Sequence, residues 1–242
     1  MFNDVVKSHF NYLLNLLDYY TGSCYNHCMC KNKLKYANGN HPRTDEEKHE
    51  IIENAAKAYE AYMDALGFDW RSDPNSADTP RRVAKAFVND LAAGCYNEPP
   101  KITTFDNVDQ YDGLVFQGNI KTNSFCSHHH LPFLGQTHVA YIPGKDGKVI
   151  GLSKLNRIVE WFSRRPQVQE NLTMQIHKYI NEVCVDNKGV AVLVEANHTC
   201  AGLRGVKHDS TMKTARMSGA FLDRKDINTR QEFYDFVRDL KR

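Results

Sequence analysis

The chain has 242 residues, of which 31 are Lys or Arg and 29 are Asp or Glu, so its formal net charge at pH 7 is only +2. This near balance argues against a protein that binds nucleic acid through bulk positive charge. Hydrophobic residues make up 41% of the chain and charged residues 25%, which is typical of a globular protein and excludes a disordered or fibrous one.

Membrane and secretion signals are also missing from the sequence. No stretch reaches the roughly 18 consecutive apolar residues of a membrane-spanning helix, and polar residues interrupt the apolar N-terminus, so neither a span nor a signal peptide is expected. The seven cysteines are an odd number, and a chain of this length does not depend on disulfides to fold. We therefore expect a cytoplasmic protein that keeps its thiols for metal binding or reactivity.

The first 44 residues differ in character from the remainder. Apolar residues at three- and four-residue spacing predict an amphipathic helix within residues 1–20. Residues 21–43 are rich in Asn, Gly, Lys, Cys and His and show no period, which is typical of a loose linker. We interpret residues 1–44 as an N-terminal extension in which Cys24, Cys28 and Cys30 bind no metal, since metal sites need rigidly placed ligands.

Residues 45–242 are predicted to form one α+β domain. Capping residues and helical spacing predict five helices, from Thr44 to Gly67, from Thr79 to Gly94, from Ser153 to Ser163, after Pro166 as far as Val183, and from Thr229 to Leu240. Short runs of β-branched and aromatic residues predict strands at Leu114–Ile120, Gln136–Ile142, Gly189–Ala196 and 210–218. The first helix is expected to bury Ile51, Ile52, Ala55, Tyr59, Tyr62 and Leu66, and the last to bury Phe233, Phe236, Val237 and Leu240.

One cluster of metal-binding residue types lies between two predicted strands, where Cys126 is followed by Ser127 and three histidines. Thiolate and imidazole suit Zn²⁺, and a tight turn can bring the first and fourth residues, Cys126 and His129, to one ion. Consecutive histidines also occur as solvated surface residues or as hydrogen-bonded core residues. This segment alone leaves both interpretations open.

A second cluster favours the metal. His198 and Cys200 end a strongly apolar run, and residues two apart in a strand point to the same side. If Cys200 is a third ligand, the ion keeps an open position for water, which is the arrangement of a catalytic zinc. His128 and His198 then remain as candidates for proton transfer near neutral pH.

A third feature suits a phosphate chain. Ser153, Lys154 and Arg157 lie where a strand runs into a helix, and helix starts favour anions. Lys154 and Arg157 share a helix face, and Arg204 follows shortly after Cys200. Each of these cations alone could simply be solvated, and the pattern gives Glu170 no role beyond complementing a helix dipole.

Three segments of the sequence resemble GTP cyclohydrolase I in order and spacing: FCSHHHLPFLGQTHVAYIP at 125–143, IGLSKLNRIVEWFSRRPQVQE at 150–170 and HTCAGLRGV at 198–206. The resemblance extends from about residue 45 to residue 240. It implies the α+β tunnelling fold, in which an antiparallel sheet with helices on one face assembles into a barrel shared between subunits, as a homodecamer with active sites between subunits. The implied reaction is zinc-dependent hydrolysis of GTP, which opens the guanine imidazole ring, releases formate and yields 7,8-dihydroneopterin triphosphate.

The resemblance also implies a role for each candidate residue. Zinc would be bound by Cys126, His129 and Cys200, one ion per subunit, and protons would be transferred by His128 and His198. Substrate would be contacted at the guanine edge by Glu170 with Gln169 near it, at the ribose by Ser153, and at the triphosphate by Lys154, Arg157, Arg204 and, from a neighbouring subunit, Arg82. Two residues depart from the family pattern: Ser127 stands where Glu is common, and His130 replaces an apolar residue and is expected to pack.

Two other functions are compatible with parts of this pattern. One is a tunnelling-fold protein that binds zinc and a guanine nucleotide without turnover, although such a protein needs neither His128 nor His198. The other is a reductase of 7-deazaguanine nitriles on the same fold, which requires no zinc. Folate, biopterin and 7-deazaguanine biosynthesis all start from the same pterin product, so the sequence does not choose among these pathways.

Overall fold

The computed structural model describes residues 36–223 and 227–240, which belong almost entirely to a compact unit at Ala37–Arg242. The helix predicted within residues 1–20 and Cys24, Cys28 and Cys30 lie outside the described residues. The helices are α1 (Asp45–Ala65), α2 (Thr79–Ala86), α3 (Ala93–Tyr96), α4 (Leu152–Ser163), α5 (Gln169–Val183), α6 (Thr199–Gly202) and α7 (Ile227–Asp239). The strands are β1 (Thr104–Asp106), β2 (Val115–Cys126), β3 (Pro132–Ile142), β4 (Lys148–Ile150), β5 (Pro166–Gln167), β6 (Gly189–His198) and β7 (Thr211–Met217).

A five-stranded sheet in the order β5-β2-β3-β6-β7 forms the centre of the unit. Its four long strands pair antiparallel, and the two-residue β5 runs parallel to the end of β2. These four strands confirm the four predicted from the sequence, and β2 and β3 extend further toward the turn that joins them. The separate pair β1 and β4 was not predicted, because three-residue strands are too short to show a period.

Apolar residues on both sides of the sheet are covered, but by different helices. On one side, Val139 and Val192 belong to a core that includes residues of α4 and α5. On the other side, Ala140 and Leu193 pack with α7 and with a 3₁₀ turn at Gly219–Leu222. The implied placement of helices on one face therefore holds for α4 and α5 but not for α7, because the continuous apolar runs of β3 and β6 leave both faces in need of cover.

β2 carries a bulge that affects the position of its end. One extra residue is inserted in β2 between the pairs Gln117–Val139 and Ile120–Thr137. Asn119 lies in this bulge with φ of 54°, a left-handed conformation that Asn adopts more readily than most residues. Beyond the bulge the side chains alternate regularly up to Cys126, which belongs to the core under α4 and α5.

Helix boundaries and buried faces differ from prediction in four places. The capping box of Thr44 and Glu47 starts α1 as predicted, but α1 buries Ala56 and Met63, whereas Tyr62 is 56% exposed. The chain after α2 continues through a π-helical turn at Phe87–Leu91 into α3, so Gly94 does not end it. α7 starts at Ile227, two residues before the predicted capping box. Ile52 is buried as expected, whereas Phe236 and Leu240, which the last helix was expected to bury, are 38% and 41% exposed.

Residues 37–43, which we call the strap, pack against the region around α3. The main-chain N–H groups of His41 and Arg43 donate to the carbonyls of Cys95 and Tyr96 at 2.7 and 2.8 Å. Asn40 adds side-chain hydrogen bonds to the carbonyl oxygens of Gly94 and Asn97. The strap is thus fixed by polar contacts, although its sequence resembles a loose linker. In the described part of the chain, every helix is too short or too polar to cross a bilayer.

Candidate active site

Three potential metal ligands meet at the end of β2. Cys126 is the last residue of β2, and the turn after it closes with a hydrogen bond from His130 N–H to the Cys126 carbonyl at 2.8 Å. His129 extends from this turn, and Cys200 lies in the short helix α6. The ligand atoms of Cys126, His129 and Cys200 lie within 4.8 Å of one another.

The chemistry of this cluster fits a zinc ion. Burial and the neighbouring Cys126 thiol raise the pKa of Cys200, and a cation beside its sulfur would favour the thiolate. Zinc binds sulfur at about 2.3 Å and imidazole nitrogen at about 2.0–2.1 Å, distances that one ion can satisfy with small side-chain adjustments here. Two thiolates and one imidazole leave a fourth tetrahedral position for water. Cys126, His129 and Cys200 would hold the ion.

Cys200 reaches the cluster for a different reason from the one predicted. β6 ends at His198, and Cys200 lies in the helical turn that follows, so it does not share the strand alternation of His198. Thr199 fixes this turn, since its hydroxyl donates to the Pro132 carbonyl at 2.6 Å. The helical turn, rather than the strand period, brings Cys200 toward Cys126.

His198 is held in one orientation by its neighbours. Its ring stacks on Phe133 with a centroid distance of 4.5 Å, and its Nε2 lies 2.8 Å from Gln169 Oε1. The Gln169 amide nitrogen donates to the carbonyls of Val194 and Met212. Because that pattern places the amide oxygen toward His198, Nε2 must carry the hydrogen and Nδ1 stays available. Burial lowers the pKa of His198, against an opposing effect of Glu170.

His128 and Arg204 contact the Cys126, His129 and Cys200 cluster. His128 Nδ1 is 3.4 Å from Cys126 Sγ, and Arg204 Nη1 is 2.8 Å from His129 Nε2. A cavity of about 180 Å³ opens beside His198 and is also lined by Lys207. This volume is below the roughly 300–1,000 Å³ of typical small-molecule sites. The cavity formed by one chain is therefore too small to enclose a nucleoside triphosphate.

Ser153, Lys154 and Arg157 lie at the opposite end of β2 from the metal cluster. Gln117, near the start of β2, donates to Asn156 of α4 at 2.6 Å. Near the end of β2, Ser124 donates to the carbonyl of Arg165, just after α4. α4 is twelve residues, roughly 18 Å, long, so its first turn lies about one helix length from the end near the metal cluster. Among the described residues of one chain, the first turn of α4 and the metal cluster are thus far apart.

The other residues predicted to contact substrate are Glu170, Gln169 and Arg82. Glu170 is exposed in the first turn of α5, where it acts electrostatically on His198. Gln169 is only 1% exposed and uses its amide in internal hydrogen bonds, so its contact with guanine stays a prediction. Arg82 is exposed and pairs with Asp78 of its own helix at 3.1 Å.

Two residues at this end were missed by the sequence analysis. Phe133, which stacks on His198, was given no role by the sequence pattern. Gln167 accepts a hydrogen bond from Ser127 N–H through its main-chain carbonyl at 2.9 Å. Strand alternation in β3 could have indicated Phe133, whereas a main-chain contact leaves no signal in residue type. His130 was expected to pack, but it is exposed, and its ring only borders the Phe125 ring at a centroid distance of 5.5 Å.

Known proteins with similar sequences identify the family of this chain. A model of the family described as GTP cyclohydrolase I matches residues 55–238. A protein named GTP cyclohydrolase 1 from Flavobacterium johnsoniae is 43% identical over 197 residues, which cover 81% of this chain and 84% of that protein. Proteins of the same name from Aeromonas salmonicida and a Sulfurihydrogenibium species are 42% and 41% identical, over 78% and 77% of this chain and 83% and 95% of their own. The chain therefore belongs to the GTP cyclohydrolase I family.

Proposed function

We propose that the chain hydrolyses GTP, releases C8 of the guanine as formate and converts the remainder into 7,8-dihydroneopterin triphosphate. The observation that carries this proposal is the convergence of Cys126, His129 and Cys200, with an oriented His198 two residues before Cys200, in a member of this family. The proposal makes the chain a hydrolase that acts on the C–N bonds of a cyclic amidine.

Zinc is the cofactor that these residues suit. Cys126, His129 and Cys200 would hold one ion per subunit, and Arg204 beside His129 would lie at the edge of the site. When bound, zinc acts as a Lewis acid and makes water nucleophilic near neutral pH. The residues around it must then supply and remove protons.

His198 has the geometry for proton transfer. Gln169 holds its Nε2–H, so Nδ1 can take up a proton and donate it to the imidazole nitrogen of guanine as the ring opens. Its lowered pKa keeps the ring neutral near pH 7, ready to accept that proton. His128, exposed and beside Cys126, is the second proton-transfer group in this proposal.

Substrate recognition is assigned to charged and polar residues at both ends of β2. Glu170 would accept hydrogen bonds from the guanine edge, with Gln169 supporting it, and Ser153 would act on the ribose. The triphosphate would be bound by Lys154, Arg157 and Arg204, and by Arg82 from another subunit. Charge-assisted hydrogen bonds of this kind are about twice as strong as neutral ones.

The separation of these two ends supports an active site shared between subunits. The first turns of α4 lie about one helix length from the metal cluster of the same chain, and the proposal assigns both sets to one reaction. A second copy would then supply Ser153, Lys154 and Arg157. We propose the homodecamer implied by the resemblance, and the four described cysteines, all with free thiols, support a cytoplasmic location.

The test is an assay of the purified full-length chain with GTP. We expect formate release and a pterin that becomes fluorescent on oxidation, both lost with a chelator and restored by zinc. Tight GTP binding without formate would contradict the proposed activity and favour the non-catalytic alternative.

A further inference from the structure

We propose that the strap positions the metal-binding turn, and that Asn38 is the residue through which it acts. This inference rests on the proposed function only in taking the Cys126, His129 and Cys200 cluster as a metal site. The strap precedes the segment that matches the family model, so family membership assigns it no role.

The first step is the contact between the strap and β5. Asn38 Nδ2 donates to Gln167 Oε1 at 3.2 Å. Gln167 is 1% exposed, and its amide nitrogen already donates to the Phe162 carbonyl and to Gln175 Oε1. Asn38 therefore satisfies the oxygen of a buried amide whose nitrogen is fully used. Without that donor, a buried acceptor would be left unsatisfied or the amide would have to rotate.

Arg165 adds a second contact between the strap and the same segment. Its guanidinium stacks on Trp161 at 4.0 Å, and its Nη1 donates to the main-chain carbonyl of Asn38 at 3.2 Å. Arg165 is only 4% exposed, and burial lowers its pKa to about 10. Its Nε and Nη2 have no hydrogen-bond partner in the described part of the chain. The main-chain carbonyl of Asn38 is thus a hydrogen-bond acceptor for the buried guanidinium of Arg165.

The second step runs from β5 to the metal ligands. β5 pairs in parallel with the end of β2, where Gln167 is opposite Cys126. The Gln167 carbonyl accepts the N–H of Ser127, the first residue after Cys126. The segment that Asn38 and Arg165 hold in place is therefore hydrogen-bonded to the turn that carries Cys126 and His129. Outer contacts that orient metal ligands commonly affect metal affinity by about 10–100-fold.

The main-chain N–H of Ser127 therefore connects the metal-binding turn to β5. β5 is in turn held by the strap through Asn38 and Arg165.

The experiment compares full-length Asn38→Ala and Asn38→Asp with the unmodified chain. Asn38→Asp keeps the shape of the side chain but has no N–H to donate. The first measurement is hydrogen exchange at the Ser127 amide in metal-free protein, and the second is Co²⁺ affinity from the thiolate-to-cobalt absorption band. We expect both variants to exchange Ser127 about 3–10-fold faster and to bind Co²⁺ about 3–10-fold more weakly, a smaller effect than direct outer contacts have.

Thr44→Ala is the matched control. It removes the cap of α1, in which Glu47 N–H donates to the Thr44 hydroxyl, and it touches neither β5 nor the turn. We expect it to leave the Ser127 exchange rate and the Co²⁺ affinity unchanged. Equal changes in the control and in the Asn38 variants would overturn the proposal, as would no change in the Asn38 variants.

The two measurements also separate this inference from the proposed function. Neither needs GTP, so a chain that binds Co²⁺ through its thiolates but releases no formate would contradict only the function. An unmodified chain with no thiolate-to-cobalt band would contradict the inference itself, whatever its activity.

Discussion

The two ends of β2 hold different residues of the proposed site and are built in different ways. At the Cys126 end, Phe133, Gln169 and Gln167 hold His198 and the metal-binding turn through stacking and hydrogen bonds. At the other end, Ser153 and Arg157 lie exposed on the first turns of α4. The Cys126 end is thus organised by the folding of one chain, whereas the side chains at the other end remain exposed.

This difference indicates how the two ends respond to mutation. Removing a metal ligand or a proton-transfer residue at the Cys126 end should abolish metal binding or proton transfer and should have little effect on the other end. Removing a cation at the exposed end should weaken substrate binding and leave the metal in place. Because the proposal takes the two ends of one site from different chains, damage at one end should be repairable by a second chain that is intact there.

The largest effect is expected for Cys200→Ser. Loss of one of three ligands should lower zinc affinity by more than about 100-fold, since even outer contacts cost about 10–100-fold. Turnover should fall with the metal content, which can be measured by competition with a chromogenic chelator. Full zinc occupancy in this variant would show that Cys200 is not a ligand, and Cys184→Ser, at a buried cysteine outside the cluster, is the control.

His198→Ala should separate metal binding from turnover. We expect normal zinc content and a fall of about 10²–10⁴-fold in kcat, the usual contribution of a positioned acid or base. Single-turnover formate release and metal analysis on the same sample measure both quantities. Turnover close to that of the unmodified chain would contradict the proton-transfer role.

Arg157→Ala should act mainly on substrate binding. A hydrogen bond to a charged group contributes about 1.5–3 kcal/mol, which corresponds to about 10–150-fold in kcat/KM. Zinc content should not change.

Mixing unfolded Arg157→Ala and Cys200→Ser chains and refolding them together should restore part of the activity, because some shared sites would combine two intact ends. Activity no greater than the summed activities of the two variants refolded separately would contradict an active site shared between subunits.

The smallest effect concerns the pH dependence of stability and involves His177 of α5. Its Nε2 lies 3.1 Å from the Ser218 hydroxyl, and burial, assisted by Arg216, lowers its pKa. A histidine with a lowered folded-state pKa binds protons more readily when unfolded, so its contribution to stability is present above about pH 6.5 and is lost as the pH falls. In urea unfolding of metal-free protein at pH 7.5 and pH 5.5, His177→Gln should reduce the difference in unfolding free energy. An unchanged difference would contradict this role.

The sequence predicted the regular parts of this fold well and the irregular parts poorly. The long strands and α4 and α5 follow from apolar periods, and Cys126 and His129 follow from a turn of known reach. Cys200 was placed in the right cluster by an argument about strand alternation that its helical turn does not obey. The strap escaped prediction because its contacts use main-chain groups and Asn side chains, which produce no period. The exposure of Tyr62 shows that helical spacing gives several possible faces, and packing selects one.

The bulge at Asn119 has a consequence for insertions and deletions in β2. An extra residue in a regular strand would turn every later side chain to the opposite face and would point Cys126 away from His129 and Cys200. Here the left-handed Asn119 absorbs the extra residue, so the later residues keep their faces. Deleting Asn119 should therefore leave Cys126 on its present side, whereas deleting one residue between the bulge and Cys126 should invert it. The strand can thus change length by one residue at this position without losing the orientation of its last cysteine.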